Sequence, residues 1–156
     1  EMIRGASGQF TGDFSRFQGE TTPIGVASKF VGVNEKQHKD IISRFIRNTA
    51  GININPAETA WCAAFVNGVL GATGQTGTGR LNARSFLKWG RPTDTPREGD
   101  IVVLTRGNPN SWTGHVGFYA GRGKNGRIKI LGGNQNNSVS IKEFPESQVL
   151  GYRTAE

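Results

Sequence analysis

The apolar residues of this chain change their spacing near its middle, and this change restricts the fold class. Ile42, Phe45 and Ile46 recur at helical spacing, whereas Ile101 to Leu104 form an uninterrupted apolar run typical of a buried strand. The pattern predicts helices over residues 27–50, 59–70 and 82–89. It predicts strands over residues 101–104, 115–119, 127–131, 139–141 and 148–153. Helices followed by strands predict an α+β fold, with N-terminal helices packed on a small antiparallel sheet of about five strands.

The chain is predicted to divide into an arm and one domain. Its 156 residues suffice for a single domain. Residues 1–26 are rich in glycine, serine and threonine, so we expect an N-terminal arm or linker there and a domain over residues 27–156. Phe10, Phe14 and Phe17 would form an apolar stripe through which residues 1–25 dock on this domain or on other subunits of an assembly.

Charge and composition exclude several classes of function. The net charge of +7 favours polyanionic partners. The basic residues are scattered and no dense basic run contains interleaved aromatics, so no nucleic-acid partner is expected. No apolar run approaches the roughly 18 residues of a membrane span, so no transmembrane segment is expected. One cysteine and two histidines leave few metal ligands, and neither a metal nor another cofactor is expected.

Cys62, the single cysteine, is the first candidate for chemistry. It lies near the start of the predicted second helix, where Thr59 is the expected N-cap and Cys62 the third helical residue. Unpaired N–H groups and the helix dipole at such a position lower the pKa of a thiol and favour the nucleophilic thiolate. The alternative is a buried structural cysteine that packs as a small apolar side chain.

His115 and a following amide complete a candidate triad. His115 lies on a predicted strand and shares a face with Gly117 and Tyr119, and the glycine would leave room for a substrate or for the cysteine helix. Asn134 directly follows the next strand and is the first choice for a residue that orients the imidazole, with Gln135 the second. A thiol at a helix start, then a histidine, then an amide is the order found in papain-type cysteine hydrolases.

Other residues receive less specific interpretations. Glu58, near the start of the cysteine helix, either lines a substrate groove or serves as charge at the helix start, and Gln135 is a further candidate for substrate contact. Trp112 lies in a polar loop and is expected to contact substrate, whereas Trp61 is expected to pack in the core. His38 lies among charged residues at a helix start and is assigned no role.

Five ordered blocks of sequence carry a family resemblance. They are Trp61–Val66, Ala83–Gly90, Gly99–Val103, Gly114–Phe118 and Leu131–Gln135. Over residues 27–153 the chain resembles the CHAP family of cysteine, histidine-dependent amidohydrolases and peptidases, neighbours of the NlpC-type cell-wall peptidases. The resemblance implies a papain-like fold and cleavage of an amide bond in bacterial peptidoglycan. It implies Cys62 as nucleophile, His115 as base and Asn134 as the orienting residue.

The same resemblance bounds the expected activity. Many family members place an acidic residue in the third role, whereas here Gly132 and Gly133 precede Asn134. The implied reaction is that of an endopeptidase or an N-acetylmuramoyl-L-alanine amidase, and the implied settings include endolysins and phage tails. A non-enzymatic wall-binding or structural module and a protein-cleaving or transglutaminase-like toxin are the alternatives. Action on the wall implies a virion-associated, periplasmic or secreted protein.

Overall fold

The elements of the fold follow the predicted order. The computed structural model describes residues 22–107 and 113–155. The helices are α1 (Pro23–Ser28), α2 (Lys39–Ala50) and α3 (Cys62–Ala72), followed by a 3₁₀ helix at Ala83–Lys88 and a short one at Glu146–Gln148. The strands are β1 (Arg91–Thr93), β2 (Ile101–Thr105), β3 (Gly114–Arg122), β4 (Arg127–Gln135), β5 (Ser138–Pro145) and β6 (Val149–Thr154). The α+β class predicted from the sequence is confirmed.

The first predicted helix is divided into α1 and α2. α1 begins at Pro23, with the Thr22 hydroxyl accepting a hydrogen bond from the Gly25 N–H at 3.2 Å. Threonine followed by proline is a helix-start signal that composition alone does not reveal. Val26 is fully buried, so α1 belongs to the core although residues 22–26 were expected in the arm. The three phenylalanines of that arm lie outside the described residues.

α2 forms as its apolar spacing predicts. Ile42, Phe45 and Ile46 are its buried residues, and the helix ends at Gly51, which adopts the left-handed conformation at φ 72°. Before the helix, the Asn34 side chain accepts from the Gln37 N–H at 2.7 Å and donates to the Gln37 amide at 3.3 Å.

α3 is buried over nearly its whole length. It packs on α2 and on strands β3 and β4, and every residue from Cys62 to Leu70 is buried. A Cβ atom at Gly71 would lie 1.9 Å from the Thr49 carbonyl oxygen, so glycine is what allows α2 and α3 to approach this closely. A helix apolar on all sides lies inside the domain and fixes the position of its first residue.

The described residues form a sheet of six strands in the order β1-β6-β2-β3-β4-β5, and each neighbouring pair is antiparallel. The extra strand is β1, which contains Pro92 and pairs with β6 at the edge. Proline is tolerated at an edge because one side of the strand needs no donor. In the centre, β2 pairs with β3 so that Leu104 lies opposite His115.

The two faces of the sheet are both covered. Val103, Val116 and Phe118 belong to the larger core with the helices, whereas Val102, Leu104 and Ile130 belong to a second cluster. All five residues of β2 are buried, which explains its continuous apolar run. Within the described residues, none of the helices combines the length and the apolar character needed to cross a membrane.

Candidate active site

Cys62 is the first residue of α3, with Trp61 at the N-cap position. The predicted cap, Thr59, lies in the preceding turn, so the placement of Cys62 as the third helical residue was wrong. The first bond that closes α3 runs from the Phe65 N–H to the Trp61 carbonyl, which leaves the N–H groups of the first turn without helical partners. The backbone N–H of Val116 on β3 acts on the thiol and favours its ionised form.

Burial decides the protonation of the thiol. Cys62 is 5% exposed. Burial raises the pKa of the Cys62 thiol, although the backbone N–H of Val116 and the Arg106 guanidinium act in the opposite direction. The backbone N–H groups of Cys62 and Ala63 at the helix start do lower this pKa, as predicted, but burial outweighs them and the net pKa is raised. At neutral pH the thiol is therefore protonated.

His115 is held by an amide at one ring nitrogen. Its Nε2 lies 2.9 Å from Oε1 of Gln135, and its ring stacks on Phe144 with centroids 5.4 Å apart. The Gln135 amide nitrogen donates to the carbonyl of Ser140 at 2.8 Å and to that of Ile130 at 3.3 Å. These carbonyls can only accept, so the Gln135 oxygen must face the imidazole and Nε2 must carry the proton.

The other ring nitrogen carries a free lone pair. Nδ1 of His115 is buried and has no hydrogen-bond partner among the described residues. Burial lowers the pKa of His115 to about 4; the Gln135 hydrogen bond opposes this, and the positive charges of Arg106 and Lys142 reinforce it. The imidazole is thus neutral at pH 7, with Nδ1 available to accept a proton.

The amide that meets the imidazole is Gln135, and not Asn134, the first choice from the sequence. The pairing of β4 with β5 shifts register between Gly132 and Gln135, and Asn134 within this irregularity has φ 60°. An extra residue in a strand reverses which side chains face each side, so Gln135 is buried whereas Asn134 is partly exposed. The second choice from the sequence makes this contact.

Two glycines provide the space for this contact. A Cβ atom at Gly132 would lie 2.7 Å from Gln135 Oε1 and 3.5 Å from His115 Nε2. At Gly133 it would lie 2.6 Å from the ring of Trp61. The glycine pair therefore clears the positions of both the orienting amide and the residue before Cys62. In the sequence, Gly132 and Gly133 were interpreted only as the absence of an acidic residue before Asn134. Their role in making room for the Gln135 side chain was missed.

The remaining predicted residues divide into three groups. Trp61 is fully buried, as expected. Its indole N–H donates to Glu35 at 2.8 Å, a hydrogen bond that no sequence motif predicts. Glu58 is exposed in the turn before α3, and no contact with another described residue identifies a role for its side chain. Trp112 lies outside the described residues.

Glycine is needed at position 117 for a different reason from the predicted one. A Cβ there would lie 2.4 Å from Cγ2 of Ile130, so the glycine makes room for the neighbouring strand and not for the cysteine helix. His38, which was assigned no role, accepts the Asn34 N–H at Nδ1 before α2. Within residues 22–107 and 113–155, no cluster of three or more His, Cys, Asp or Glu side chains could hold a metal ion.

Cys62 and His115 lie on two elements that pack together, α3 and β3. Val116, whose N–H faces the thiol, directly follows His115 on β3. The helix carrying Cys62 and the strand carrying His115 therefore meet at this point. Nδ1 of His115 makes no hydrogen bond to the Cys62 thiol or to any other group of the described residues. A protonated thiol and a neutral imidazole on adjoining elements are the groups needed for nucleophilic attack in which the proton moves to Nδ1 as the sulfur–carbon bond forms.

Comparison with known proteins supports the same class. The CHAP domain family model matches residues 54–134, more than half of the chain. A solved structure of an NlpC/P60 family protein from Bacillus cereus ATCC 10987 is similar, with a TM-score of 0.51 and 14% sequence identity. The match covers 85% of this chain but 38% of that protein, and it confirms the papain-like fold. No curated protein sequence matches this chain.

The buried imidazole predicts a pH dependence of stability. The unfolded His115 binds a proton near pH 6.5 and the folded one near pH 4, so between these values the unfolded chain holds more protons. The free energy of unfolding should therefore fall as the pH falls through this window, by about 3 kcal/mol in full. Urea denaturation at several pH values should show this loss, and His115→Gln should lack that part of it. Parallel pH profiles for the two proteins would contradict the buried neutral imidazole.

Proposed function

The chain belongs to the CHAP domain family, and from this membership and the Cys62–His115–Gln135 arrangement we propose that it is a cysteine-dependent hydrolase of an amide bond in bacterial peptidoglycan. The observation that carries the proposal is the buried Nδ1 of His115, which has no partner within residues 22–107 and 113–155 and lies on the strand whose next N–H, that of Val116, acts on the Cys62 thiol. A buried nitrogen without a partner costs stability, which is explained if it has a proton to accept.

The first step forms an acyl-enzyme. Sγ of Cys62 attacks the carbonyl carbon of the scissile amide while the thiol proton moves to Nδ1 of His115. The carbonyl oxygen gains the negative charge, and the free Cys62 N–H at the start of α3 is placed to stabilise it. The carbon–nitrogen bond then breaks, the leaving amine takes the proton from His115, and a thioester to Cys62 remains.

The second step restores the enzyme. A water molecule gives a proton to Nδ1 of His115 as its oxygen attacks the thioester carbon. The carbon–sulfur bond breaks, Cys62 regains the proton, and the product leaves as a carboxylic acid. Throughout, the Gln135 oxygen keeps the proton on Nε2, so the same nitrogen of the ring serves in both steps. The scissile bond is either a peptide bond of the stem or cross-bridge, or the amide between N-acetylmuramic acid and L-alanine.

One observation favours a second candidate function. Cys62 is buried and the pKa of its thiol is raised, as in a structural cysteine. In that case the chain would be a wall-binding or structural module of a phage tail or another assembly. Digestion of purified peptidoglycan sacculi separates the two functions, because only an enzyme releases new amino groups from the wall.

Replacement of the nucleophile tests the enzymatic proposal. Cys62→Ala should reduce the release of amino groups from sacculi by more than about a hundredfold, since no thioester can form. Cys62→Ser keeps the volume of the side chain and serves as a control for folding, with a similar loss expected. If Cys62→Ala retains activity within tenfold of the unmodified chain, the assigned nucleophile is incorrect.

The choice between the two amides predicts unequal effects. Gln135→Ala should lower the rate of hydrolysis by about tenfold to a hundredfold, because the imidazole loses the group that fixes its proton on Nε2. Asn134→Ala, one position away, should change the rate by less than about threefold, because the Asn134 side chain does not meet the ring. Rates on soluble wall fragments measure both variants. A larger loss in Asn134→Ala than in Gln135→Ala would reverse the assignment.

A further inference from the structure

A basic pocket lies beside the 3₁₀ helix at Ala83–Lys88. It has a volume of about 600 Å³ and is lined in part by Arg80, Arg84 and Lys88, three of the basic residues that are scattered in the sequence. Of the described residues that line it, none is acidic. Folding therefore concentrates positive charge at one place, which indicates a binding site for anions.

Two of these charges are available to a ligand. Arg80 and Lys88 are exposed, and within the described part of the chain their side chains form no ion pair or hydrogen bond. Ser85 and Asn82 add a hydroxyl and an amide to the same wall, and the hydroxyl of Thr78 lies 2.9 Å from that of Ser85. Guanidinium, ammonium and hydroxyl donors converging on one pocket suit the oxygens of a phosphate group.

The pocket is tied to the helix that carries Cys62. Asn67, a buried polar residue of α3, donates to the Arg80 carbonyl at 3.0 Å and accepts from the Gly79 N–H at 3.0 Å. A Cβ at Gly77 would lie 2.0 Å from Oδ1 of Asn67, so the loop sits directly on this side chain. These hydrogen bonds explain why a polar residue, Asn67, occurs in an otherwise apolar helix.

The pocket is also tied to the strand that carries His115. Nε of Arg84 donates to the Thr113 carbonyl at 2.6 Å, and its Nη2 donates to the hydroxyl of Thr105 at 3.2 Å. Thr105 pairs with Gly114, the residue before His115. The wall of the pocket is therefore fixed relative to both the thiol and the imidazole, so a group bound in the pocket has a defined position relative to the reaction centre.

We propose that this pocket binds a phosphate group of an anionic, phosphodiester-linked polymer of the bacterial cell wall. The choice of a wall polymer rests on the proposed function. A nucleic acid fits less well because Trp89 is the single aromatic residue among the described residues of the lining, and its ring already packs against Phe86 with centroids 6.2 Å apart. Binding of the wall polymer would hold the enzyme on its substrate and place the site near the amide bonds of the same wall.

The test is a binding measurement on two preparations of the same wall. Intact walls carry the phosphodiester polymers, and treatment with hydrofluoric acid removes them while leaving the peptidoglycan. Binding is measured in the Cys62→Ala background so that no wall is digested and the outcome does not depend on hydrolysis. The test variant is Arg80→Gln with Lys88→Gln. The control, Lys124→Gln with Arg127→Gln, removes the same charge from exposed residues around the β3–β4 turn.

The expected result is specific to the pocket and to phosphate. The test variant should bind intact walls about tenfold more weakly, whereas the control variant should bind them like the parent chain. On treated walls the test variant and the parent should bind equally. Three results would each overturn the proposal: unchanged binding by the test variant, an equal loss in the control, or an equal loss on treated walls. The last result would point to peptide carboxylates.

Discussion

The hydrogen bond between Gln135 and His115 is the interaction on which the site depends. Gln135 can present its oxygen to the ring only because its amide nitrogen is held by carbonyls on β4 and β5. That orientation places the proton on Nε2 and leaves the lone pair on Nδ1. The Gln135 side chain must reach from β4 across to β3. The irregular backbone at Asn134 and the two preceding glycines make this possible. The geometry of the sheet therefore determines which nitrogen of the His115 ring carries the proton.

Burial gives the site a different resting state from a preformed ion pair. Cys62 and His115 are both enclosed, and burial moves the pKa of each group toward its neutral form. In the proposed mechanism, charge is therefore created only during attack on the substrate, where the start of α3 and the Val116 N–H on β3 provide donors. The positive charge of Arg106 acts on both groups and opposes protonation of the imidazole. The chain can therefore hold Cys62 and His115 in its interior without a buried charge on either group.

The sequence predicts much of the fold and part of the site. Apolar spacing identified α2 and the five longer strands, and the order of thiol, histidine and amide identified Cys62 and His115 as candidates. Three features could not be predicted for physical reasons. The bulge that selects Gln135 over Asn134 depends on pairing with β5, the burial that raises the pKa of Cys62 depends on packing, and β1 forms because β6 offers an edge. The gathering of Arg80 and Lys88 in one pocket likewise requires the folded loop.

The tautomer of His115 at neutral pH tests this account most directly. Long-range ¹H–¹⁵N NMR spectra of the imidazole distinguish a protonated ring nitrogen from an unprotonated one, and the His115→Gln variant assigns the signals. The account predicts a neutral ring at pH 7 with the proton on Nε2 and an unprotonated Nδ1. A ring protonated at both nitrogens, or one with its single proton on Nδ1, would contradict the account.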